Sequence, residues 1–493
     1  MNLSKSLYTK GIQCPKALWL KKYNTEALTT PDETAIDRFE TGNEIGELAC
    51  ELFPNGVEVP YTKNFDEMIE YTSKYIEDGI KYIYEATFRF NGIIVMVDIL
   101  AVSKDGISLY EVKSSTSVKD IYLHDAAIQY YVLQNLGYTI KTANIVHVNS
   151  SYVRNYTLDL DKFFTVANVT PDVIKMQVSI PSVLTEFTSV LSDKINEPNI
   201  DIGKHCHFPY ECDAKEHCWH TQRQIPKYSI FNIFNLGSKK QCELYKKGIT
   251  NIEDIPETFS MTHSQKMVVD NFKTQKTFID NEKIKEFVDT LTYPIYHLDF
   301  ETFQQSVPEF EGISPYQQIP FQYSLHIEHE DGTIEHREYL SQEGIDPRYE
   351  LAKRLCEDIP TDVTVLVYNK SFEQSVIKKL ASPYNARSLH LLSINENIKD
   401  LMVPFQQKHY LSPAMNGSYS IKYVLPALVP ELAQAYKKLE KIQNGSQAMN
   451  AFAKMDEMED EEKEKLRTSL LEYCKLDTLA MVKILEVLRG LSS

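Results

Sequence analysis

The sequence predicts an α/β protein built from two domains with a helical segment between them, and three observations lead there. A chain of 493 residues is more than one core usually serves, at roughly 100 to 200 residues per domain. Hydrophobic residues make up 43% and charged residues 25%, the balance of a chain that folds rather than one that stays disordered. Strand-like alternation gives way to helix-like periodicity twice, within about 80–150 and again from about 295 onward, with polar helical sequence between. The expected domains are therefore 1–222, 223–290 and 291–493.

Charge narrows the function classes. Acidic residues outnumber basic ones 69 to 52, a net charge of −17, so no uniform basic coat draws nucleic acid from a distance. Any grip on nucleic acid has to be local or metal-mediated. The first residues carry Lys5, Lys10, Lys16, Lys21 and Lys22, but lack the unbroken apolar stretch of a secretory signal. No window reaches the ~18 consecutive apolar residues of a membrane helix. The expectation is a cytoplasmic chain with no membrane partner. Eight cysteines are too few for a disulfide scaffold at this length, and in a reducing compartment clustered cysteines bind metal or do chemistry.

Taken in order, 82–90 and 93–102 are β-rich runs around Asn91-Gly92, the strongest short-range signal for a two-residue hairpin turn. That turn sets Glu85 opposite Asp98. If Asp105-Gly106 closes the next hairpin in the same way, Asp98 faces Lys113, with Glu111 two residues along on the same side. An amphipathic helix follows and ends at Gly137, then a strand at 143–149, then helical sequence over 160–200. The middle segment has short helical stretches around Gly248 and reads as a helical spacer or a helix-hairpin-helix element. The second alternating region holds strands at 295–303 and 362–369 and a long final helix, preceded by an acidic run at 455–465 expected to be solvated. There is no internal repeat.

Carboxylates dominate one face of the first three strands. Like charges directly opposite each other in a sheet are destabilising, so Glu85 across from Asp98 asks for a cation between them. A divalent ion held by hard oxygens would serve, and it could activate water against a phosphodiester, with Lys113 steadying the developing charge. Asp98, Glu111-Val112-Lys113, Gln129 and Tyr131 resemble the PD-(D/E)XK restriction-endonuclease-like nuclease core in its RecB-like form. Cys14, Cys206, Cys212 and Cys218 are similar in arrangement to the split cysteines of RecB-type nucleases that hold a [4Fe–4S] cluster, including CRISPR-associated ones. The resemblance covers about residues 1–220 and implies catalytic roles for Glu85, Asp98, Glu111, Lys113, Gln129 and Tyr131, with Mg²⁺ or Mn²⁺ on Asp98 and Glu111. Gly46 stands where those families usually carry histidine, leaving Glu44 and Glu47 as substitutes. Zn²⁺ is the alternative metal for the cysteines, with His205, His207, His217 and His220 nearby. Cys50, Cys242, Cys356 and Cys474 are scattered and expected to be buried small hydrophobes.

In the second region Asp299 and Glu301 project to one side of a strand while Phe300 and Thr302 project to the other. Asp477 falls within an apolar helical stripe with Tyr473 one turn earlier, and an acid placed there again asks for a cation. Asp299-x-Glu301, the stretch 368–373 ending in Glu373, and Tyr473-x₃-Asp477 resemble the three motifs of DnaQ-like DEDDy 3′-to-5′ exonucleases. That resemblance covers about 290–493 and implies an RNase H-like domain, Mg²⁺ or Mn²⁺ on Asp299, Glu301, Glu373 and Asp477, and a water-orienting Tyr473. Glu373 stands where the family has aspartate, and Asp400 is an alternative acid. Phe300 or Phe303 could meet a terminal base. The combined expectation is a metal-dependent nuclease acting on single-stranded ends, DNA before RNA, with a nucleic-acid-binding scaffold of degenerate sites as the rival. The five N-terminal lysines are expected to line a strand path.

Overall fold

The computed structural model describes residues 3–382, 385–439 and 441–492. It is a mixed α/β protein with several sheets. The chain divides into two compact units, Met1–Ile225 with Gln305–Tyr316, and Pro226–Gln304 with Gln317–Ser493. Among the described residues no helix is long and apolar enough to cross a membrane.

The first unit is a seven-stranded sheet made of β1 (Leu3–Ser4), β2 (Val57–Glu58), β3 (Tyr82–Phe90), β4 (Ile93–Ser103), β5 (Gly106–Lys113), β6 (Ile140–Val148) and β7 (Phe164–Asn168). The order is β2-β3-β4-β5-β6-β7, with β1 paired to β4. β3, β4 and β5 form an antiparallel meander, and β6 returns parallel to β5 after the helix Asp120–Asn135. Asn91 and Gly92 both have positive φ, 48° and 75°, as the tight turn requires, and Phe90 pairs with Ile93 as expected. Glu85 therefore lies across from Asp98, between the pairs Tyr84–Ile99 and Ala86–Val97.

The next hairpin departs from expectation by two residues. Ser103 pairs with Gly106 and Ile99 with Tyr110, so Asp98 comes opposite Glu111 rather than Lys113. Gly106 is not in the turn at all. A Cβ there would sit 2.3 Å from the Thr139 carbonyl oxygen, so glycine is needed for close backbone approach. The ladder ends where Asp98 takes over, because Asp98 Oδ2 accepts the Val112 amide at 2.7 Å.

The second unit carries β8 (Phe278–Ile279), β9 (Ile295–Phe303), β10 (Ile319–Glu328), β11 (Ile334–Leu340), β12 (Thr364–Val367), β13 (Ile398–Asp400) and β14 (Tyr410–Leu411). Five of these form a sheet ordered β11-β10-β9-β12-β13, antiparallel on the β10 side of β9 and parallel on the β12 side. Leu298 and Phe300 pack in a core with Tyr323, Leu355 and Val376. The helix Asp460–Ser492 is tied to β10, where Gln322 Nε2 donates to the Leu470 carbonyl at 2.9 Å and Ser324 Oγ meets Thr478 Oγ1 at 2.7 Å. The acidic run expected to be solvated supplies the start of that helix. In the middle segment Ile230, Leu236, Leu244, Ile255 and Val269 form a buried cluster that draws on the helices Ser238–Lys246 and His263–Thr274.

Candidate functional site

In the first unit the meander delivers its acids to one place. Glu111 is 1% exposed at the end of β5, and its carboxylate receives Lys113 Nζ at 2.6 Å, Gln129 Nε2 at 2.6 Å, and Lys5 Nζ at 2.8 and 2.9 Å. Lys5 Nζ also stands 3.4 Å from Asp98 Oδ1 and 3.9 Å from Asp125 Oδ1, while Lys113 Nζ bonds Asp125 Oδ2 at 2.7 Å. The cation that the facing acids demand is thus met in the chain itself, by two ammonium groups. Burial pushes Glu85 up to about 7 and Asp125 up to about 6, with Asp98 and Glu111 respectively adding repulsion. For Glu111 burial alone would raise the pKa, but Lys113 and Lys5 outweigh it and hold the group ionised.

Lys5 and Asp125 are members of this cluster that sequence reasoning missed. Asp125 and Gln129 sit four apart on Asp120–Asn135, one face of a helix, and that spacing was a usable signal. Tyr131 is not brought into this cluster. It lies two residues beyond Gln129, on another side of the helix, and its ring meets the edge of Phe90 at 6.2 Å. Several of the lysines expected to line a strand path meet acids of the chain itself. Lys5 is in the cluster, Lys10 bonds Asp213 at 2.7 Å, and buried Lys16 bonds Glu197 at 2.6 Å, so three of the five are taken by the chain's own acids. Glu44 accepts a hydrogen bond from Ser306 at 3.1 Å.

The cysteines gather as their spacing suggested. Cys14, Cys206, Cys212 and Cys218 line one pocket together with His205, and none is in a disulfide. Cys14 caps the helix Lys5–Gln13, whose first residue is the Lys5 of the carboxylate cluster. Of the other candidate ligands, His207 faces Glu211 at 2.8 Å, His217 faces Glu197 at 3.0 Å, and His220 faces the Ile225 carbonyl at 2.6 Å. The four thiols could hold a metal group, with His205 the one histidine of the four beside them. Of the scattered cysteines expected to be buried, Cys474 is, Cys50 and Cys356 are half-buried, and Cys242 is exposed.

In the second unit Asp299 and Glu301 leave one face of β9, and Asp477 reaches them from Asp460–Ser492. One ligand oxygen from each lies within 4.8 Å of the others. Among the described residues no lysine or arginine forms an ion pair with any of the three. Burial and mutual repulsion push Asp299 and Glu301 well above the usual carboxylate range. Burial also lifts Asp477, to about 6, against hydrogen bonds from Tyr436 and Tyr473 that lower it. Tyr436 donates to Asp477 Oδ1 at 2.8 Å; nothing in its sequence context marked it. Glu373 is 2% exposed, its Oε2 has no partner, and it feels the charges of Asp299 and Glu301, but it is not among the three gathered oxygens. Asp400 does not substitute for it. Its carboxylate accepts the backbone amides of Asn369, Lys370 and Met402, a structural cap. Phe300 and Phe303 are 4% and 3% exposed and packed among other rings, so neither is free to meet a base.

A family model described as a domain of unknown function, DUF2779, matches residues 296–420. An uncharacterized protein of Ureaplasma parvum is 25% identical over 233 residues, which is 44% of this chain and 33% of the relative. An uncharacterized protein of Mycoplasma genitalium is 24% identical over 249 residues, 47% of this chain and 37% of the relative. The matched stretch thus spans about a third of the length of either relative.

Proposed function

We propose that this chain is a divalent-metal-dependent nuclease with two hydrolytic centres that acts on DNA, preferentially at single-stranded ends. The observation that carries the proposal is the Asp299, Glu301 and Asp477 set: three carboxylates, Glu301 buried and the other two half-buried, bring one oxygen each within 4.8 Å of the others, and the Lys422 charge bears on Glu301 and Asp477 without an ion pair. Such a set costs free energy unless a cation joins it. The strand order of the second sheet and the β3–β5 meander followed by a helix and parallel β6 are compatible with the RNase H-like and PD-(D/E)XK arrangements that the motifs resemble.

Asp299, Glu301 and Asp477 would hold Mg²⁺ or Mn²⁺, with Glu373, whose Oε2 has no partner, a further acid that feels their charge; Asp98 and Glu111 would hold it in the first unit. When bound, such ions neutralise phosphate oxygens and lower the pKa of water. Tyr436 and Tyr473 orient the Asp477 carboxylate through their hydroxyls. Lys113, fixed between Glu111 and Asp125, places a positive charge beside the first centre. The four cysteines would hold a [4Fe–4S] cluster, the reading we favour, with Zn²⁺ the alternative. One observation favours a second reading for the first centre alone: the Lys5 ammonium bonds both Glu111 oxygens and stands beside Asp98, which is compatible with a site that binds DNA without cutting it.

The test uses 5′- and 3′-labelled single strands with Mg²⁺ or Mn²⁺, matched DNA and RNA, and the variants Asp98→Ala and Asp299→Ala. Each variant is expected to abolish a different subset of products. An unchanged product set in Asp299→Ala, or no divalent-dependent cleavage by the unaltered chain, overturns the proposal.

A further inference from the structure

Between Cys206 and Cys212 the chain displays two large aromatic side chains to solvent, Phe208 at 65% exposure and Tyr210 at 47%. Exposed aromatics of this size cost free energy in water and mark contact surfaces when they cluster. Tyr210, two residues from Phe208, stands beside charge. Exposed Lys119 holds its ammonium 5.7 Å from the Tyr210 ring centre and 5.7 Å from that of Tyr122. Tyr210 and Tyr122 meet through their hydroxyls at 3.3 Å.

The cluster is continuous with the carboxylates of the first unit. Lys113 Nζ lies 5.4 Å from the Tyr122 ring centre and, from the same position, bonds Glu111 and Asp125. A path of rings and ammonium groups therefore runs from the acid cluster to open solvent. Its outer end is held in place: Gln13 Nε2 donates to the Tyr210 carbonyl at 2.7 Å and to the His205 carbonyl at 2.9 Å. The neighbouring acid Glu211 is neutralised by Lys215 at 2.5 Å and faces His207 at 2.8 Å, so it does not cancel Lys119.

Stacking rings interleaved with lysine are what a single nucleic-acid strand needs, since unpaired bases offer flat faces and the backbone offers one negative charge per step. A duplex hides its base faces, so rings of this kind favour an unpaired strand. We propose that Phe208, Tyr210 and Lys119 form a stacking platform that takes the bases flanking the phosphate presented to Glu111 and Asp98, and that its ligand is single-stranded DNA. This rests on the nuclease reading of the first unit and adds to it the path by which the strand enters.

The experiment measures equilibrium binding of the full-length protein, carrying Asp98→Ala and Asp299→Ala to prevent cleavage, to a fluorescein-labelled single strand and to a blunt duplex. Phe208→Ala and Tyr210→Ala are each expected to weaken single-strand binding about fivefold or more, within the range one lost stacking contact gives. Phe208→Trp should retain binding, and duplex binding should change less than about twofold. Lys119→Ala should reduce the slope of log affinity against log salt by about one. Iron and zinc content and circular dichroism, measured on each variant, separate loss of platform from loss of fold. Parent-like single-strand affinity in both Phe208→Ala and Tyr210→Ala overturns the platform, even where Asp98-dependent cleavage by the unaltered chain upholds the nuclease reading. Ring-dependent binding together with no cleavage under any divalent ion upholds the platform and overturns the nuclease reading instead.

Discussion

Lys5 is the residue on which the first centre turns. Its ammonium bridges Glu111 and Asp98 from a backbone that cannot shift easily, because Leu3 is fully buried and its amide bonds the Gly92 carbonyl at 2.9 Å. Removing one partner of a buried ion pair leaves the other charge uncompensated, at a cost of about 3 kcal/mol or more. Lys5→Met should therefore lower the unfolding temperature in chelator by several degrees, and Mn²⁺ should restore much of the loss by joining the same carboxylates. Equal losses with and without Mn²⁺, read by calorimetry, would count against a shared position. In the second centre Tyr436 poses a sharper question of sign. Burial raises Asp477 to about 6, and the Tyr436 hydroxyl opposes that rise by stabilising the ionised form. Tyr436→Phe removes this opposition, so Asp477 stays protonated to higher pH. If the second centre cleaves as proposed, the acid limb of its divalent-dependent cleavage should move toward alkaline pH, and Mn²⁺ affinity should fall about tenfold, a usual loss for a group that orients a ligand. An unmoved limb would show that the hydroxyl only packs.

Among the elements, β10 and β11 carry a titratable pair outside both centres. The rings of His326 and His336 lie 4.5 Å apart, and His326 Nδ1 meets Thr478 Oγ1 at 2.8 Å, tying the strand to the final helix. Burial pushes His326 down to about 3 and His336 down to about 4, and neighbouring positive charge adds to both shifts. Below the ordinary histidine range near 6.5 the unfolded chain takes up protons that the folded chain refuses, so this contribution to stability is present above pH 6.5 and is lost as pH falls toward 4. His326→Asn can keep the Thr478 hydrogen bond without a titratable ring. Its unfolding temperature should change less steeply between pH 6.5 and 4.5 than that of the unaltered chain, whatever its absolute level, and an equally steep change would place the acid sensitivity elsewhere. Elements of this kind were readable in the sequence where local chemistry set them. Asn91-Gly92 fixed one hairpin because two positive φ values suit that dipeptide, and period-two alternation placed Asp299 with Glu301. The second hairpin misled because Gly106 answers to Thr139, some thirty residues away, and not to the turn beside it. Lys5 and Tyr436 reach their acids across long stretches of chain, where periodicity carries no information about who meets whom.

At the scale of the molecule, the cysteine pocket joins residue 14 to residues 206–218 and so closes nearly the whole main segment of the first unit. A crosslink across so long a loop restricts the unfolded chain strongly, by about 4 to 5 kcal/mol on the chain-entropy account for loops of this order. If the four thiols hold a metal group as proposed, its loss should loosen the first unit as a whole. The same unit includes Gln305–Tyr316, which interrupts the second unit between β9 and β10. Within the first unit that stretch is held by main-chain bonds, Arg154 N to the Ile313 carbonyl at 3.0 Å and Gly312 N to the Arg154 carbonyl at 2.8 Å, and by the Tyr316 hydroxyl donating to the Ser114 carbonyl beside Lys113. Cys14→Ser is expected to lose bound iron or zinc together with visible absorbance if the group is an iron–sulfur cluster. Limited proteolysis should then open two regions, the sequence before Pro226 and the 305–316 stretch, while 226–304 and 317–492 stay resistant. Protection of 305–316 in a variant that has lost its metal would mean that this stretch does not depend on the cysteine group. It would leave the pocket as a local clasp between Cys14 and the loop that follows Lys204.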